Sequence, residues 1–137
     1  MLEKLLQELV VELELEAVGP KDKEQNFYLQ ITPTLKVVLK ELDPGIFFHA
    51  PIGPCPEVKR EELFMLLMKA NFLGQGTGGG VLGLTGDEKV LTLSLTLPYD
   101  MNYKTFKEAL EEFTNFLDYW KEEIARFEKE AAESILK

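Results

Sequence analysis

Two residues in this sequence could support nucleophilic catalysis, and each is the sole example of its type: His49 and Cys55. A thiol and an imidazole act together only where the fold brings them within hydrogen-bond reach. Cys55 lies between Pro54 and Pro56, with no basic residue nearby until Lys59 and Arg60 to favour a thiolate. A zinc site takes about four ligands, and this pair supplies two of the nitrogen or sulfur kind. The stretch Gly74-Gln75-Gly76-Thr77-Gly78-Gly79 spells G-x-G-x-x-G. The phosphate-binding version of that motif follows a strand and opens a helix. Here a helical pattern precedes it and a strand pattern follows. It reads instead as a helix end and a strand entry, where glycine permits positive φ and close backbone approach. The acidic pairs Glu61-Glu62, Glu111-Glu112, Glu122-Glu123 and Asp87-Glu88 fall mostly on polar helix faces. Solvation explains them without general acid–base chemistry.

The elements that would hold these residues are legible from periodicity. From Leu2 to about Glu16, Leu2, Leu5, Leu6, Leu9, Val10 and Leu13 recur at three- and four-residue steps, which predicts an amphipathic helix. Gly19-Pro20 and the charged run after it form a loop. Asn26–Thr32, Leu35–Leu42 and Gly45–Pro51 read as strands joined by tight turns at Pro33 and Pro44, hence an antiparallel meander. Gly53-Pro54-Cys55-Pro56 reads as a rigid bend. Glu57–Phe72 reads as a second helix, and its run Leu63-Phe64-Met65-Leu66-Leu67-Met68 is apolar nearly all round. One sheet covers only one side of such a helix, so a second body is expected, which a twin copy could supply. Val81–Thr85 and Val90–Leu97 make a second hairpin. From Asn102 to Leu136, Phe106, Leu110, Phe113, Leu117, Trp120, Ile124 and Phe127 step by four and three. That predicts a helix about 50 Å long, whose end should project past the sheet or lie on a neighbour. The fold class is α+β, in the order α-β-β-β-α-β-β-α, an antiparallel twisted sheet with helices packed on one face.

The 137 residues amount to one domain, able to bury a core without disulfides or metal. With 45% hydrophobic and 28% charged residues the chain is an ordinary globular composition. Its net charge of −9 repels phosphate backbones and anionic lipid surfaces, which argues against nucleic acid and membrane partners. No apolar run approaches the roughly 18 residues of a membrane span. The opening segment carries Glu3, Glu8, Glu12, Glu14 and Glu16, unlike a signal or transit peptide. A single cysteine suits a reducing, cytosolic setting. What remains unexplained is apolar surface in excess of one core's needs, with Val38, Leu42 and Phe47 on the sheet face opposite the main apolar pattern. Patches of that kind mark interaction sites.

The segment Ala70-Asn71-Phe72, with Thr77-Gly78-Gly79-Gly80-Val81-Leu82-Gly83-Leu84 and the leucine-rich Val90–Leu97 ending in Leu97-Pro98-Tyr99, resembles the type III secretion chaperones of the effector-binding class, the Tir chaperone (CesT-like) family. Together with the element order, the resemblance covers nearly the whole of 1–137 as a single secretion-chaperone-like domain. It implies a homodimer in the bacterial cytoplasm, no enzymatic activity and no cofactor. The partner it implies is the N-terminal region of secreted effectors, held extended, soluble and ready for export, with the secretion ATPase or sorting complex as a further contact. It places the dimer interface on Phe64, Leu67, Met68, Phe72, Val81 and Leu82. It places client-binding grooves on Leu5, Leu9, Leu13, Phe27, Leu29, Val38 and Phe47. The departures from the family pattern are the long last helix and the Pro-Cys-Pro bend. The competing reading is a dimeric α+β scaffold or regulatory subunit that binds a folded protein. A hydrolase using His49 and Cys55 ranks behind both.

Overall fold

A computed structural model describes residues 1–136, the side chain of Leu136 excepted. Its elements are α1 (Leu2–Glu12), β1 (Asn26–Thr32), β2 (Leu35–Leu42), β3 (Gly45–Pro54), α2 (Arg60–Asn71), β4 (Val81–Leu84), β5 (Val90–Leu97) and α3 (Tyr103–Leu136), with a short 3-10 turn at Phe72–Gly74 after α2. The order is the predicted one. The five strands form one antiparallel sheet in the order β1-β2-β3-β5-β4, so β5 returns between β3 and the edge strand β4.

Two-residue alternation divides the sheet into a covered and an open face. Phe27, Leu29, Val37, Leu39, Ile46, Phe48, Ala50 and Leu93 point to the covered face and are buried. They meet the stripe of α3, where Phe106, Leu110, Phe113, Leu117, Trp120 and Ile124 are all buried as the periodicity requires. Phe48 packs its ring on Phe113 and Phe106 at centroid distances of 5.5 and 6.2 Å. Each such side chain contributes roughly 1.5–3 kcal/mol. The open face carries Tyr28, Val38, Phe47, His49 and Ser94.

Four differences from the sequence reading have a physical reason. First, α1 stops at Glu12 rather than Glu16. Glu14 takes a left-handed φ of 53°, Leu15 N–H bonds Val10 O at 3.0 Å, and Glu14 N–H bonds Val11 O at 3.4 Å. That is a Schellman ending with glutamate in the place glycine usually fills. Second, β3 runs to Pro54 instead of Pro51, because a register shift between Pro51 and Gly53 lets the strand pass its prolines and resume pairing with Leu91 and Val90. Third, α2 begins at Arg60, since Lys59 before it is left-handed. Fourth, the end of α3 is held by the chain itself. Ala131 is buried, and Lys59 Nζ donates to Ser134 Oγ at 2.8 Å, so the tail lies along the start of α2.

One turn demands glycine. Gly45 has φ +114°, and a Cβ there would come within 2.0 Å of Leu97 O.

Candidate functional site

The residues considered for catalysis are not assembled into a site. Cys55 is buried in the core cluster with its thiol directed to Pro56 O at 3.6 Å. His49 lies on the open face, where Nδ1 sits 2.7 Å from Ser94 Oγ and its ring stacks 6.0 Å from Phe47. Partial burial holds its pKa below the ordinary imidazole value. Among the described residues no group of three or more His, Cys, Asp or Glu could hold a metal ion.

The glycine-rich loop spends its polar groups on itself, on α2 and on α3. Gly76 N–H bonds Ala70 O at 2.9 Å, and Gly79 N–H bonds Gly74 O at 3.1 Å. The buried hydroxyl of Thr77 donates to Gly80 O at 2.6 Å, and Trp120 Nε1 donates to Gly76 O at 2.9 Å. A Cβ on Gly78 would strike Phe116 at 2.5 Å. The loop is therefore a structural clamp, as its flanking order implied.

The glycine loop also sets β4 against α2. The Asn71 side chain accepts from Leu82 N–H at 2.7 Å and donates to Leu82 O at 2.9 Å. These backbone groups face away from β5, so Asn71 occupies the middle of the outer edge of β4. On the edge of β1 it is Asp22, outside any helix, that caps Asn26, accepting from its N–H at 2.9 Å and donating its own N–H to its carbonyl at 3.0 Å.

Three apolar surfaces remain. The first spans α2, the 3-10 turn and β4. Leu63 and Leu67, four residues apart, anchor α2 in the core, which leaves Met65, Met68 and Phe72 as a stripe on the other side. They are 58%, 72% and 64% exposed, and Leu73 and Val81 continue the patch at 81% and 58%. Of the residues expected at a dimer interface, Met68, Phe72 and Val81 lie on this surface, and Phe64 is half-buried beside Arg60. Leu67 and Leu82 are core residues at 7% and 5% exposure, because their side chains point to the covered side of α2 and β4. The sequence reading missed Met65 and Leu73. The i, i+3, i+7 spacing of Met65, Met68 and Phe72 was the available signal.

The second surface flanks α1. A cavity of about 420 Å³ opens between α1 and the Ala17–Pro20 segment, lined by Leu6, Val10, Val18 and Phe27 among others. A cavity of about 430 Å³ opens on the other flank against α3, lined by Leu9, Leu13, Leu15, Ile31 and Leu110. Leu13 is exposed. Leu5, Leu9, Phe27 and Leu29 are not the open surface that the sequence reading expected. They are buried, because α1 lies flat on the covered face. Leu9 and Phe27 still form parts of the cavity walls.

Polar contacts hold α1 in that position. Glu12 accepts from both the Tyr103 hydroxyl and Lys107 Nζ on α3. The Lys107 contact, then that of Tyr103, keeps the Glu12 carboxyl below its usual range. Burial, and then the bond to Glu12, pushes the Tyr103 phenol up to about 12. Glu41 on β2 accepts from Leu2 N–H at 2.7 Å, which lowers its pKa in turn.

The third surface is the open sheet face, where Val38 and Phe47 are half-buried among polar neighbours.

The helix-backed antiparallel sheet is found in known proteins. The model of the Tir chaperone protein (CesT) family matches residues 4–121. The chain belongs to that family. The CesT family is one of type III secretion chaperones that bind effectors, so the sequence resemblance is borne out. Protein CPj0713/CpB0740 of Chlamydia pneumoniae is 28% identical over 122 residues, spanning 88% of this chain and 93% of that one. Among solved structures, the ExsC–ExsE complex aligns with a TM-score of 0.73 at 16% identity, over 90% of this chain and 92% of the other. The HopA1–SchA chaperone–effector complex aligns at 0.65 and 15%, over 88% and 92%. YbjN from E. coli aligns at 0.59 and 14%, over 90% and 91%. At such identities these structures establish the shared α+β fold. Within this CesT-family chain, no described helix is long and apolar enough to cross a membrane.

Proposed function

We propose that this CesT-family protein works as a cytoplasmic homodimer that holds the N-terminal region of one or more type III effectors extended and soluble until export. The observation that carries the reading is the apolar stripe of Met65, Met68 and Phe72, continued by Leu73 and Val81, on an otherwise acidic chain. A patch of that kind on a single copy asks for a cover. A twin copy meets it symmetrically through one self-complementary surface.

The remaining surfaces suit a client without fixed structure. Beyond Asn26, which Asp22 caps, the edge of β1 offers backbone groups to an added strand, whereas Asn71 blocks the middle of the β4 edge. The cavities flanking α1 accept apolar side chains, with Leu13, Leu9 and Phe27 on their walls. Leu5 and Leu29 belong to the core cluster on which α1 rests, and Val38 and Phe47 add apolar surface on the opposite face. Ordering an extended client is entropically costly, so several such surfaces are needed together. Binding of this kind requires no catalysis or cofactor. Delivery to the secretion ATPase or sorting complex belongs to the same reading.

The test is co-expression with N-terminal fragments of effectors from the source bacterium, followed by light scattering and protease digestion. The expected product is two copies of this chain with one protease-sensitive client fragment made resistant only where it is bound. A monomer without captured fragment, or a partner that binds only as a folded domain, would favour the scaffold reading instead.

A further inference from the structure

The connection from α1 to β1 is fixed at both ends and bare between them. At its start Glu14 takes a left-handed φ of 53°, and at its finish Gln25 takes one of 70°. Neither is glycine, so both turns carry a steric cost. Asp22 closes the second end: its N–H donates to Asn26 O at 3.0 Å, and its Oδ1 accepts from the N–H groups of Glu24 and Asn26, each at 2.9 Å. Among the described residues, no backbone group of residues 16–21 bonds another backbone group. Two apolar side chains fasten the stretch instead. Leu15 and Val18 are half-buried against the core cluster, while Glu16, Ala17, Gly19 and Pro20 are exposed. Leu15 shares the cavity of about 430 Å³ with Ile31, and Val18 shares the one of about 420 Å³ with Phe27. The stretch thus runs back along β1, from the Ile31 end to Asn26, with one anchor at each cavity. Five residues of strand cover about 17 Å, whereas the seven from Leu15 to Asp22 reach up to about 23 Å. The connection is longer than its path and has slack to leave it.

We propose that residues 15–21 form a displaceable strap, an internal competitor whose Leu15 and Val18 fill, in the free protein, seats that apolar side chains of a client fill in the complex. The proposal rests on the chaperone reading above. Leaving costs the strap no backbone ladder, because its peptide groups already face water. What it gives up is the cover of two half-buried side chains, which the apolar side chains of the client replace. Segments with few buried contacts and no backbone bonds are the ones that open locally. Meanwhile α1 stays in place, held through Glu12 to Tyr103 and Lys107. One strap joins both seats, so a segment that fills a single cavity leaves the other anchor docked. The device therefore favours clients that carry two apolar groups over those that carry one.

The test uses the full-length protein and a fluorescent synthetic peptide with the sequence of residues 13–20, beside a copy in which serine replaces Leu15 and Val18. In the protein, Leu15→Ser with Val18→Ser empties the seats, and circular dichroism should stay unchanged, since both side chains are only half-buried. A strap docked about nine-tenths of the time weakens a competitor about tenfold. The unsubstituted peptide should therefore bind the double variant about tenfold more tightly than the parent, and the serine peptide should bind neither. In the parent, a captured effector fragment should speed trypsin cleavage after Lys21, a readout that needs no substitution. Equal binding of the unsubstituted peptide to both proteins, or no binding to either, would overturn the proposal. So would weaker binding to the double variant, since Leu15 and Val18 would then be fixed walls of the seats. Effector capture that protects Lys21 would overturn the strap and leave the chaperone reading standing. Failure of the parent to capture any fragment, with the peptide result as expected, would count against the chaperone reading and support the strap.

Discussion

Asn71 at the end of α2 bonds both peptide groups of Leu82 in β4, accepting from its N–H at 2.7 Å and donating to its carbonyl at 2.9 Å. The side chain imitates a sixth strand one residue long. It holds α2 beside the sheet edge, where Met65 and Met68 on α2, Phe72 after it and Val81 on β4 are all exposed.

Replacing Asn71 with Ala removes both bonds and leaves two peptide groups of an edge strand without a protein partner. The expected loss is about 1–3 kcal/mol, read from urea denaturation. A rise in concentration-dependent aggregation should accompany it, since the freed edge can template pairing. Unchanged stability and solubility would mean that the Asn71 bridge is dispensable.

Charge placed on the two sides of α2 should separate surface from core. Met68→Asp with Val81→Asp changes two side chains that are mostly exposed, and should give a folded monomer by light scattering and circular dichroism. Leu67→Asp buries a carboxylate at a 7% exposed position and should unfold the chain or shift its melting temperature far down. A double variant that remains dimeric would move the interface off this surface.

Glu14 holds a left-handed conformation at the end of α1. Glycine adopts it without the steric cost of a Cβ, so Glu14→Gly should stabilise the protein by about 1 kcal/mol in thermal or urea unfolding. A loss of stability would point to a role for the Glu14 side chain.

Glu12 and Glu41 both have folded-state pKa values depressed below the ordinary 4.5, Glu12 first through Lys107 and Glu41 first through Leu2 N–H. In that window the unfolded chain binds more protons than the folded one. The stabilisation they provide is thus complete above pH 4.5 and is lost as pH falls through the depressed values. Glu12→Gln with Glu41→Gln should be less stable than the parent at pH 7, with a flatter decline as pH falls below the ordinary carboxylate range. Parallel pH curves for the two proteins would show that neither carboxylate couples to folding.

Single-residue periodicity was enough to fix the strands, the long stripe of α3 and the family likeness. Those depend on local alternation and on the glycine pattern between Asn71 and Leu84, where backbone geometry restricts the residues allowed. It also settled the case against a phosphate loop, because the order of helix and strand around glycines is written in the chain. The ending of α1 at Glu12 was not legible, since the left-handed residue there is a glutamate rather than a glycine. Nor was the outward side of α2: Leu63 to Met68 are six apolar residues in a row, and only contact with β4 and α3 decides that Leu63 and Leu67 turn in while Met65 and Met68 turn out. Leu5, Leu9, Phe27 and Leu29 posed the same difficulty, for an apolar stripe looks alike whether it meets its own sheet or a partner. The sequence determines which faces are apolar; the tertiary structure decides which of them are already covered, because burial depends on what other segments of the chain are brought alongside.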